Sequence, residues 1–320
     1  MDQIYTTLRK FGKVKLNEPM SKHTTFKLGG PVKYFITIDN ADKLVEVLNF
    51  LREENVEFII IGGGSNVLCS DKEFDGVVIK IANNEIKLLE DNVLQADAGC
   101  VTVAVARESV KFNLTGFEWG IGVPGTIGGA VRGNAGAMGG DMSGNLSKVE
   151  VYRQGEILEL SNEECEFAYR ESIFKHNNDV VLRVWLQLEK STEESKDLMK
   201  TTLENIQYRN STQPQGFASS GCIFKNVKIL NPKSEIKNQN IIPTDFLEKG
   251  IISAGWLMDQ AGCKGMKVGN AQVSEKHANF IVNLGDATAE DVKNLIEEVK
   301  KKVYNKFKIN LEEEVQEISF

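Results

Sequence analysis

Three consecutive glycines follow a strongly apolar segment near residue 60, and this junction constrains the fold more than any other stretch. The sequence reads EFIIIGGGSNVL, in which Ile59–Ile61 predict a buried strand and Gly62–Gly64 a tight loop at its end. Successive glycines let backbone amides approach a ligand closely, and a nest of such amides suits anionic oxygens. Ser65 and Asn66 add side-chain donors to the same loop.

The segments before this loop predict the rest of a β-α-β unit. KYFITI is typical of a strand, and NADKLVEVLNFLREENV of a helix with Asn40 as its N-cap. The apolar face of that helix carries Leu44, Val45, Leu48 and Leu51. From Gly76 to about Lys190 short β-runs such as VEVYRQGEILEL predominate, with one helix-like insert, VTVAVARESVKFN. We therefore expect a mixed α+β chain.

A second glycine-dense stretch, GIGVPGTIGGAVRGNAGAMGGD, covers Gly120–Asp141. Its glycines supply positive φ angles and remove side-chain bulk beneath an extended ligand. Neither stretch is a P-loop, because no Gly-Lys-Ser/Thr follows, and neither has the acidic residue of a Rossmann fingerprint. A single loop of this kind is more often a structural turn. Two in one chain favour a phosphate-bearing cofactor.

Composition excludes several classes of function. The chain has 320 residues, ample for two or three domains, and a net charge of -7, which argues against a nucleic-acid or anionic-membrane partner. No apolar run approaches a membrane span, and the first residues lack a signal-peptide core. Five scattered cysteines without a C-x-x-C spacing, and three histidines without metal-ligand spacing, indicate reduced thiols and no metal site. The cytoplasm is the expected compartment.

The last third of the chain contains a lone thiol in a small polar turn, SSGCIFKN, at Ser219–Asn226. A free cysteine here is compatible with a packed core thiol or a nucleophile. The segment 227–252 is polar, rich in Asn and Lys, and predicts an inserted surface excursion. Thr288–Asp291 resembles a capping box. The helix that follows carries an apolar stripe made of Val292, Leu295, Ile296, Val299, Val303 and Phe307.

A series of motifs resembles the UDP-N-acetylenolpyruvoylglucosamine reductase family. The two glycine loops, as GGGSNVL and GVPGTIGGA followed by NAGA, look like its FAD-binding motifs. In chain order KHTTFKLGGP, YRES, YRNSTQP, AGWLMDQAGCKG and VSEKHANFIVN also agree, so the resemblance runs from about Thr24 to Val315.

The resemblance implies a fold and a domain plan. It implies an α+β chain with a two-lobed FAD-binding module of the vanillyl-alcohol-oxidase-like type and a separate α+β substrate domain. Residues 1–80 would form the first lobe, with a C-terminal strand at 308–320 returning to it, and residues 81–200 the second. Residues 201–307 would form the substrate domain, with the insertion at 227–252.

The resemblance also implies FAD as the bound cofactor and NADPH as the hydride donor. The reduced flavin would pass hydride to UDP-N-acetylglucosamine enolpyruvate, giving UDP-N-acetylmuramate for peptidoglycan synthesis. The cofactor-binding residues implied are Gly62, Gly63, Gly64, Ser65, Asn66, Pro124, Gly125, Thr126, Gly128, Gly129, Asn134, Ala135 and Gly136. Its oligomeric state stays open, and a monomer is compatible with the sequence.

Hydride addition to an enolpyruvyl group leaves charge on its carboxylate, which needs fixed partners, and leaves a carbon that needs a proton. By resemblance, Arg170 in YRES and Glu314 in LEEEV hold the carboxylate, with Glu314 protonated or sharing a proton. Its neighbours Glu312 and Glu313 leave the register of the acidic residue open. The family's proton donor, usually serine in a GSxFKN-like turn, corresponds to Cys222. A thiol, with an ordinary pKa of about 8.5, is a better acid than a serine hydroxyl.

The nucleotide-sugar contacts implied are Arg209 and Gln213 in YRNSTQP, for the diphosphate, and Lys225 and Asn226, for the sugar; Lys264 is a weaker candidate. The insertion at 227–252 departs from most relatives, and its purpose stays open between a cover over the substrate and a projection into solvent.

Three other functions remain open. A flavin oxidase of the same superfamily would share the fold. A cysteine hydrolase would use Cys222, His277 and Asn279, although a structural role for His277 is the simpler interpretation. A nucleotide-sugar-binding protein without catalysis would not need both Arg170 and Glu314.

Overall fold

The computed structural model describes residues 2–192, 195–229, 236 and 238–320. Within them eight α-helices lie at Gln3–Phe11 (α1), Ala41–Glu53 (α2), Thr102–Lys111 (α3), Ile127–Gly133 (α4), Ser195–Thr212 (α5), Thr244–Lys249 (α6), Ala254–Gln260 (α7) and Ala289–Phe307 (α8). The longer strands are Lys13–Pro19 (β1), Pro31–Ile38 (β2), Phe58–Ile61 (β3), Val67–Cys69 (β4), Phe74–Ile81 (β5), Ile86–Leu88 (β6), Val93–Asp97 (β7), Leu146–Arg153 (β8), Glu156–Ser161 (β9) and Val180–Gln187 (β10). Towards the C-terminus they are Ala271–Val273 (β11), Ile281–Asn283 (β12) and Gln316–Ile318 (β13).

Shorter two-residue strands connect these elements at Leu114–Thr115, Gly136–Ala137, Gly140–Asp141, Glu189–Lys190, Val227–Lys228, Ile251–Ile252 and Lys267–Val268. The chain divides into two compact units. Unit 1 comprises Met1–Glu18, Val32–Gly63 and Phe74–Arg209, and unit 2 comprises Pro19–Pro31, Gly64–Glu73 and Asn210–Phe320.

Unit 1 contains two large sheets, of four and five strands. The first has the order β1-β2-β5-β3, in which β5 runs parallel to both β2 and β3. Helix α2 connects β2 to β3, and the Asn40 side chain accepts a hydrogen bond from the Lys43 amide, which confirms the predicted cap. Its buried face includes Leu44, Leu48 and Leu51, but Val47 rather than Val45 is the buried valine. Because β2 and β3, joined by α2, both run parallel to β5, the predicted β-α-β unit is confirmed.

The second sheet of unit 1 has the order β9-β8-β10-β7-β6, and all its neighbouring strands are antiparallel. Helix α3, predicted as an insert among the β-runs, follows β7 directly. One apolar core, from Leu8 to Leu188, joins these layers.

Unit 2 is built around helix α8. The Thr288 side chain accepts from the Asp291 amide and the Asp291 side chain accepts from the Thr288 amide, so the predicted capping box is confirmed. All six residues of the predicted apolar stripe are buried in a second core. Strands β11 and β12 belong to the same unit and pair antiparallel with each other.

The two short segments of unit 2 come from the first 80 residues of the chain. Strand β4 pairs in parallel with β13, so Val67 aligns with Gln316 and Cys69 with Ile318. The C-terminal strand therefore pairs with a segment that clusters with unit 2. Two independent lobes at 1–80 and 81–200, and a substrate domain at 201–307, stay a prediction.

The insertion at 227–252 begins and ends on paired strands, with Val227 opposite Ile252 and Lys228 opposite Ile251. Residues 230–235 and 237 lie outside the described part of the chain. In the described part, Ile242 is buried in the core of unit 2, and Phe246 packs edge-on against Trp256 with ring centroids 5.8 Å apart. This part of the insertion is anchored on the unit instead of projecting into solvent.

Candidate active site

The two glycine loops meet in unit 1. A Cβ added to Gly62 would lie 2.2 Å from Oγ1 of Thr126, and one added to Gly63 would lie 2.7 Å from Cα of Gly125. Because no side chain fits at either contact, glycine is required at both positions. The structure thus brings together two stretches that the sequence proposes for one ligand.

The amides of this junction suit an anionic ligand. Within the described residues, the Gly62 and Gly63 amides have no hydrogen-bond acceptor in the protein. By contrast, the Ile127 and Gly128 amides, at the start of α4, donate to the carbonyls of Cys100 and Ala98 at 2.9 and 2.8 Å. The second loop is therefore fixed to unit 1 while the first presents free donors, as a cofactor pyrophosphate requires. The residues present fit FAD.

The predicted cofactor residue Asn134 lies at the end of α4 with a φ of 39°. Its side chain donates to the Ala168 carbonyl at 2.8 Å and accepts from the Ser143 amide at 3.0 Å. Ala135 donates its amide to Ala130, and Gly136 pairs with Asp141. This part of the second stretch is a folded support inside unit 1.

Arg170 is fastened to that support. Its Nη2 donates to the Gly136 carbonyl at 2.7 Å, and its guanidinium lies over the Tyr169 ring, 5.2 Å from the centroid. The backbone of Arg170 has a φ of 57°, a conformation that costs a non-glycine residue about 1 kcal/mol or more. Lys175 Nζ donates to the Arg170 carbonyl at 2.6 Å and stabilises this turn. A strained, anchored arginine is typical of a functional site.

Gly64, Ser65 and Asn66 continue the first loop into unit 2. A Cβ on Gly64 would lie 2.1 Å from the His23 carbonyl oxygen, so the KHTTF motif packs directly on the loop. Asn66 Nδ2 donates to the Glu314 carbonyl at 3.0 Å, and the Gln316 amide donates to the Asn66 carbonyl at 3.0 Å. Asn66, predicted from sequence as a cofactor contact, therefore tethers the segment that carries Glu314.

Cys222 lies just beyond a β-bulge. Ala218 pairs with Asn283 and Cys222 with Phe280, so three residues, Ser219–Gly221, oppose two on the partner strand. Gly221 has a φ of 83°, which favours glycine. A bulge re-aims the side chains that follow it. Residue Cys222 is partly exposed, whereas the other four cysteines are buried.

Glu314 lies next to Cys222 in the same small ladder. The Glu314 amide donates to the Ile223 carbonyl at 2.7 Å, and Phe224 pairs with Glu313. Two residues predicted to be catalytic, about 90 positions apart in the chain, thus occupy adjoining backbone segments of unit 2.

The neighbouring glutamates have other partners. Glu312 Oε1 lies 2.6 Å from Lys225 Nζ, and Glu313 Oε1 lies 2.5 Å from Lys300 Nζ. Burial alone lowers the pKa of Lys300, but its hydrogen bonds to Glu313 and Glu297 outweigh burial and raise it. These ion pairs give Glu312 and Glu313 cationic partners within unit 2, and the choice of Glu314 as the acidic residue stays a prediction.

The predicted substrate residues fall into both units. Lys225 is buried beside Glu312, and Asn226 Oδ1 accepts from the Ala254 amide at the start of α7. Gln213 also belongs to unit 2, whereas Arg209 belongs to unit 1. A Cβ on Gly122 would lie 2.2 Å from Cδ of Arg209, so this arginine packs on the second glycine stretch.

Lys264, the weaker candidate for the substrate's diphosphate, lies in unit 2 after helix α7. Its Nζ pairs with Asp259 Oδ2 at 2.8 Å. This ion pair holds the lysine beside the AGWLMDQ helix.

The side chains of His277 and Asn279, the partners of Cys222 in the hydrolase hypothesis, form hydrogen bonds to the backbone. His277 Nδ1 accepts from the Asn279 amide at 3.2 Å, and burial lowers the pKa of the imidazole. The Asn279 side chain bonds to the backbone of Phe224. The sequence does not predict this pair of bonds between Asn279 and Phe224. Its one indication is a polar residue, Asn279, in the largely apolar run ANFIVN.

The described residues gather no set of three side chains able to ligate a metal. In the same part of the chain, no helix has the length and apolar character needed to cross a membrane.

Comparison with known proteins defines the class. Residues 32–161 match the family described as FAD binding domain. A crystal structure of UDP-N-acetylenolpyruvylglucosamine reductase from Thermus caldophilus superimposes with a TM-score of 0.74 at 30% identity, covering 96% of this chain and 98% of that one. The chain is an FAD-dependent oxidoreductase with the predicted α+β fold of the vanillyl-alcohol-oxidase-like type.

The particular family follows from the rest of the chain. Residues 213–318 match UDP-N-acetylenolpyruvoylglucosamine reductase, C-terminal domain. The reductase of that name from Caldanaerobacter subterraneus subsp. tengcongensis is 39% identical over 96% of this chain and 94% of its own length. The Bacillus subtilis reductase is 37% identical, over 96% and 95%. The chain belongs to the UDP-N-acetylenolpyruvoylglucosamine reductase family.

Proposed function

We propose that this protein reduces UDP-N-acetylglucosamine enolpyruvate to UDP-N-acetylmuramate with NADPH, in peptidoglycan precursor synthesis. The observation that carries the proposal is the ladder in unit 2, where the Glu314 amide bonds to Ile223, the residue after Cys222. An acid and a carboxylate-binding residue side by side suit protonation of an enolpyruvyl group.

Different residues would bind the cofactor and the substrate. The Gly62 and Gly63 amides would hold the pyrophosphate of FAD, which when bound supplies the hydride. Lys225, Asn226 and Gln213 would bind the nucleotide sugar. Arg209, which packs on Gly122 of the second glycine stretch, would reach the diphosphate of the substrate.

The chain's own side chains would then manage charge and proton. Hydride arriving at the terminal carbon of the substrate converts its double bond into an enolate. Arg170 would stabilise the developing charge on the carboxylate through its cation, and Glu314, in its protonated form, through a donated hydrogen bond. Cys222 would give its thiol proton to the adjacent carbon, and solvent would reprotonate the thiolate.

The proposal is tested by following flavin absorbance anaerobically. NADPH should bleach the FAD-loaded protein, and the enolpyruvyl substrate should restore the colour. A protein that cannot take up FAD, or whose reduced flavin the substrate leaves bleached, would contradict the proposal.

Cys222→Ala and Cys222→Ser form a matched pair for the proton donor. Both should be bleached by NADPH at the normal rate. Reoxidation by substrate should fall by on the order of 100-fold or more in the alanine variant, since a general acid contributes about that much, and largely persist in the serine variant. Normal turnover in Cys222→Ala would remove the thiol from the mechanism.

We also propose a cytoplasmic location. None of the five cysteines forms a disulfide in the described structure, as in a reducing compartment. Cell fractionation with an antibody to the chain tests this location.

A further inference from the structure

Asn279 makes an unusual set of contacts for a buried side chain. Only 3% of its surface is exposed, and both ends of its amide bond to the backbone of one residue. Oδ1 accepts from the Phe224 amide at 2.9 Å, and Nδ2 donates to the Phe224 carbonyl at 2.8 Å. The Asn279 carbonyl accepts from Ile223 at 2.9 Å. The side chain therefore continues the ladder as a substitute peptide group.

The residue that Asn279 clamps lies on the segment that carries Cys222, opposite the segment that carries Glu314. Phe224 is fully buried, two residues after Cys222. On its other side it pairs with Glu313, and the Glu314 amide bonds to Ile223. Displacing Phe224 would therefore move the backbone of Cys222 and Glu314 together with it.

The clamp is needed because the regular ladder fails here. The bulge at Ser219–Gly221 disrupts pairing on one side of Cys222, and regular strand β12 begins only at Ile281. Without the Asn279 amide, the N–H and C=O of the buried Phe224 would lose these partners.

We infer that Asn279 is a positioning residue for substrate protonation: its amide fixes the segment that places the Cys222 thiol beside the Glu314 segment. This inference rests on the proposed function. Asn279 touches neither thiol nor carboxylate, so its effect passes through the Phe224 backbone.

Asn279→Asp gives a test with its own pH signature. The carboxylate keeps the acceptor for the Phe224 amide but sets a second acceptor against the Phe224 carbonyl. Protonation restores the donor. The charged groups of the surrounding elements are His277 on the same segment, Lys225 on the clamped segment and Glu312–Glu314 across it. Lys264 is a further one: burial lowers the pKa of His277, and the charge of Lys264 lowers it further.

At pH 8 we expect substrate-driven reoxidation in Asn279→Asp to fall by on the order of 100-fold relative to wild type, since a displacement of about 1 Å can cost that much. The reoxidation rate of the variant divided by that of wild type should rise towards one as the pH falls, because the new carboxyl group is then protonated. Flavin reduction by NADPH should be unchanged throughout. Asn279→Leu, which bonds to neither group, should be slow at every pH.

A rate ratio that does not vary with pH, or an equal loss in both half-reactions, would overturn the positioning role. If wild type itself fails to reoxidise with the enolpyruvyl substrate, the proposed function fails instead. Should Asn279→Asp not fold, Asn279→Ser is the milder variant. It should slow only reoxidation, and equal slowing of flavin reduction would overturn the inference.

Discussion

The five thiols of this chain have two different environments. Burial raises the pKa of Cys69, Cys100 and Cys165 to about 12 and that of Cys263 to about 11. Cys222 alone among them is partly exposed. Because the thiolate is the nucleophile, the four buried thiols should be inert at neutral pH.

We therefore expect iodoacetamide at pH 8 to alkylate one cysteine of the folded protein quickly. Mass spectrometry of peptides should locate the label at Cys222, and Cys222→Ser should take up almost none on the same timescale. A second cysteine labelled at a comparable rate would contradict the burial of its thiol.

The imidazole of His277 makes stability depend on pH. Burial lowers its pKa, so an unfolded chain binds the proton near pH 6.5 while the folded chain does not. The contribution of the neutral imidazole to the free energy of unfolding is fully present above pH 6.5. It is lost as the pH falls towards the pKa that His277 has in the folded protein. The urea concentration at the unfolding midpoint of the wild type should decrease as the pH is lowered from 7.5 to 5.5. The decrease should be smaller in His277→Gln. Equal slopes would show that another group titrates.

Single residues were predictable where their type was distinctive. Cys222 was identifiable because one thiol occupies a motif that usually carries serine. Glu314 was not separable from Glu312 and Glu313 in sequence, since three identical carboxylates stand in a row. Glu312 pairs with Lys225 and Glu313 with Lys300 through tertiary contacts, and the assignment of the acidic role to Glu314 stays a prediction. The roles of Arg170 and Cys222 in catalysis stay predictions.

Among the elements, the helices with regular apolar periodicity were the most predictable. The stripe and capping box of α8, and the cap of α2, are confirmed because both signals are local. The bulge before Cys222 and the paired ends of the insertion depend on which strand lies opposite. One sequence without pairing information does not specify that choice.

The insertion offers a test at the scale of an element. Replacing residues 229–250 by an Asn-Gly turn keeps Lys228 opposite Ile251 but removes Ile242 and Phe246 from the core of unit 2. Each apolar side chain contributes about 1.5–3 kcal/mol when fully buried, so the free energy of unfolding should fall by a few kcal/mol.

Urea unfolding followed by tryptophan fluorescence measures that loss, and Phe246→Ala is the matched control with a smaller one. An unchanged free energy of unfolding in the shortened chain would mean that the insertion is not anchored on Trp256.

At the scale of the whole molecule, the described residues form one large apolar core in unit 1 and another in unit 2. Leu295 is completely buried in the core of unit 2, and Ile79 in that of unit 1. Truncating either to alanine should cost about 2–5 kcal/mol. Leu295→Ala should speed hydrogen exchange chiefly in peptides of unit 2, and Ile79→Ala chiefly in those of unit 1. Mass spectrometry of exchanged peptides distinguishes this from uniform acceleration, which would contradict separate cores.

The mixed α+β class and the FAD-binding module were predictable from two glycine loops and one β-α-β unit. The composition of unit 2 was not, because its short segments at Pro19–Pro31 and Gly64–Glu73 join it only through contacts distant in sequence.

That distance has a consequence for synthesis. Asn66 and Glu314, which bond to each other, are 248 positions apart, and β4 must wait for β13. At about 5–20 residues per second, a ribosome leaves β4 without its partner for roughly ten to fifty seconds. The segment that finally closes unit 2 is the one that carries Glu314. A nascent chain therefore completes the β4–β13 pairing and acquires its proposed catalytic carboxylate only when that last segment has been made.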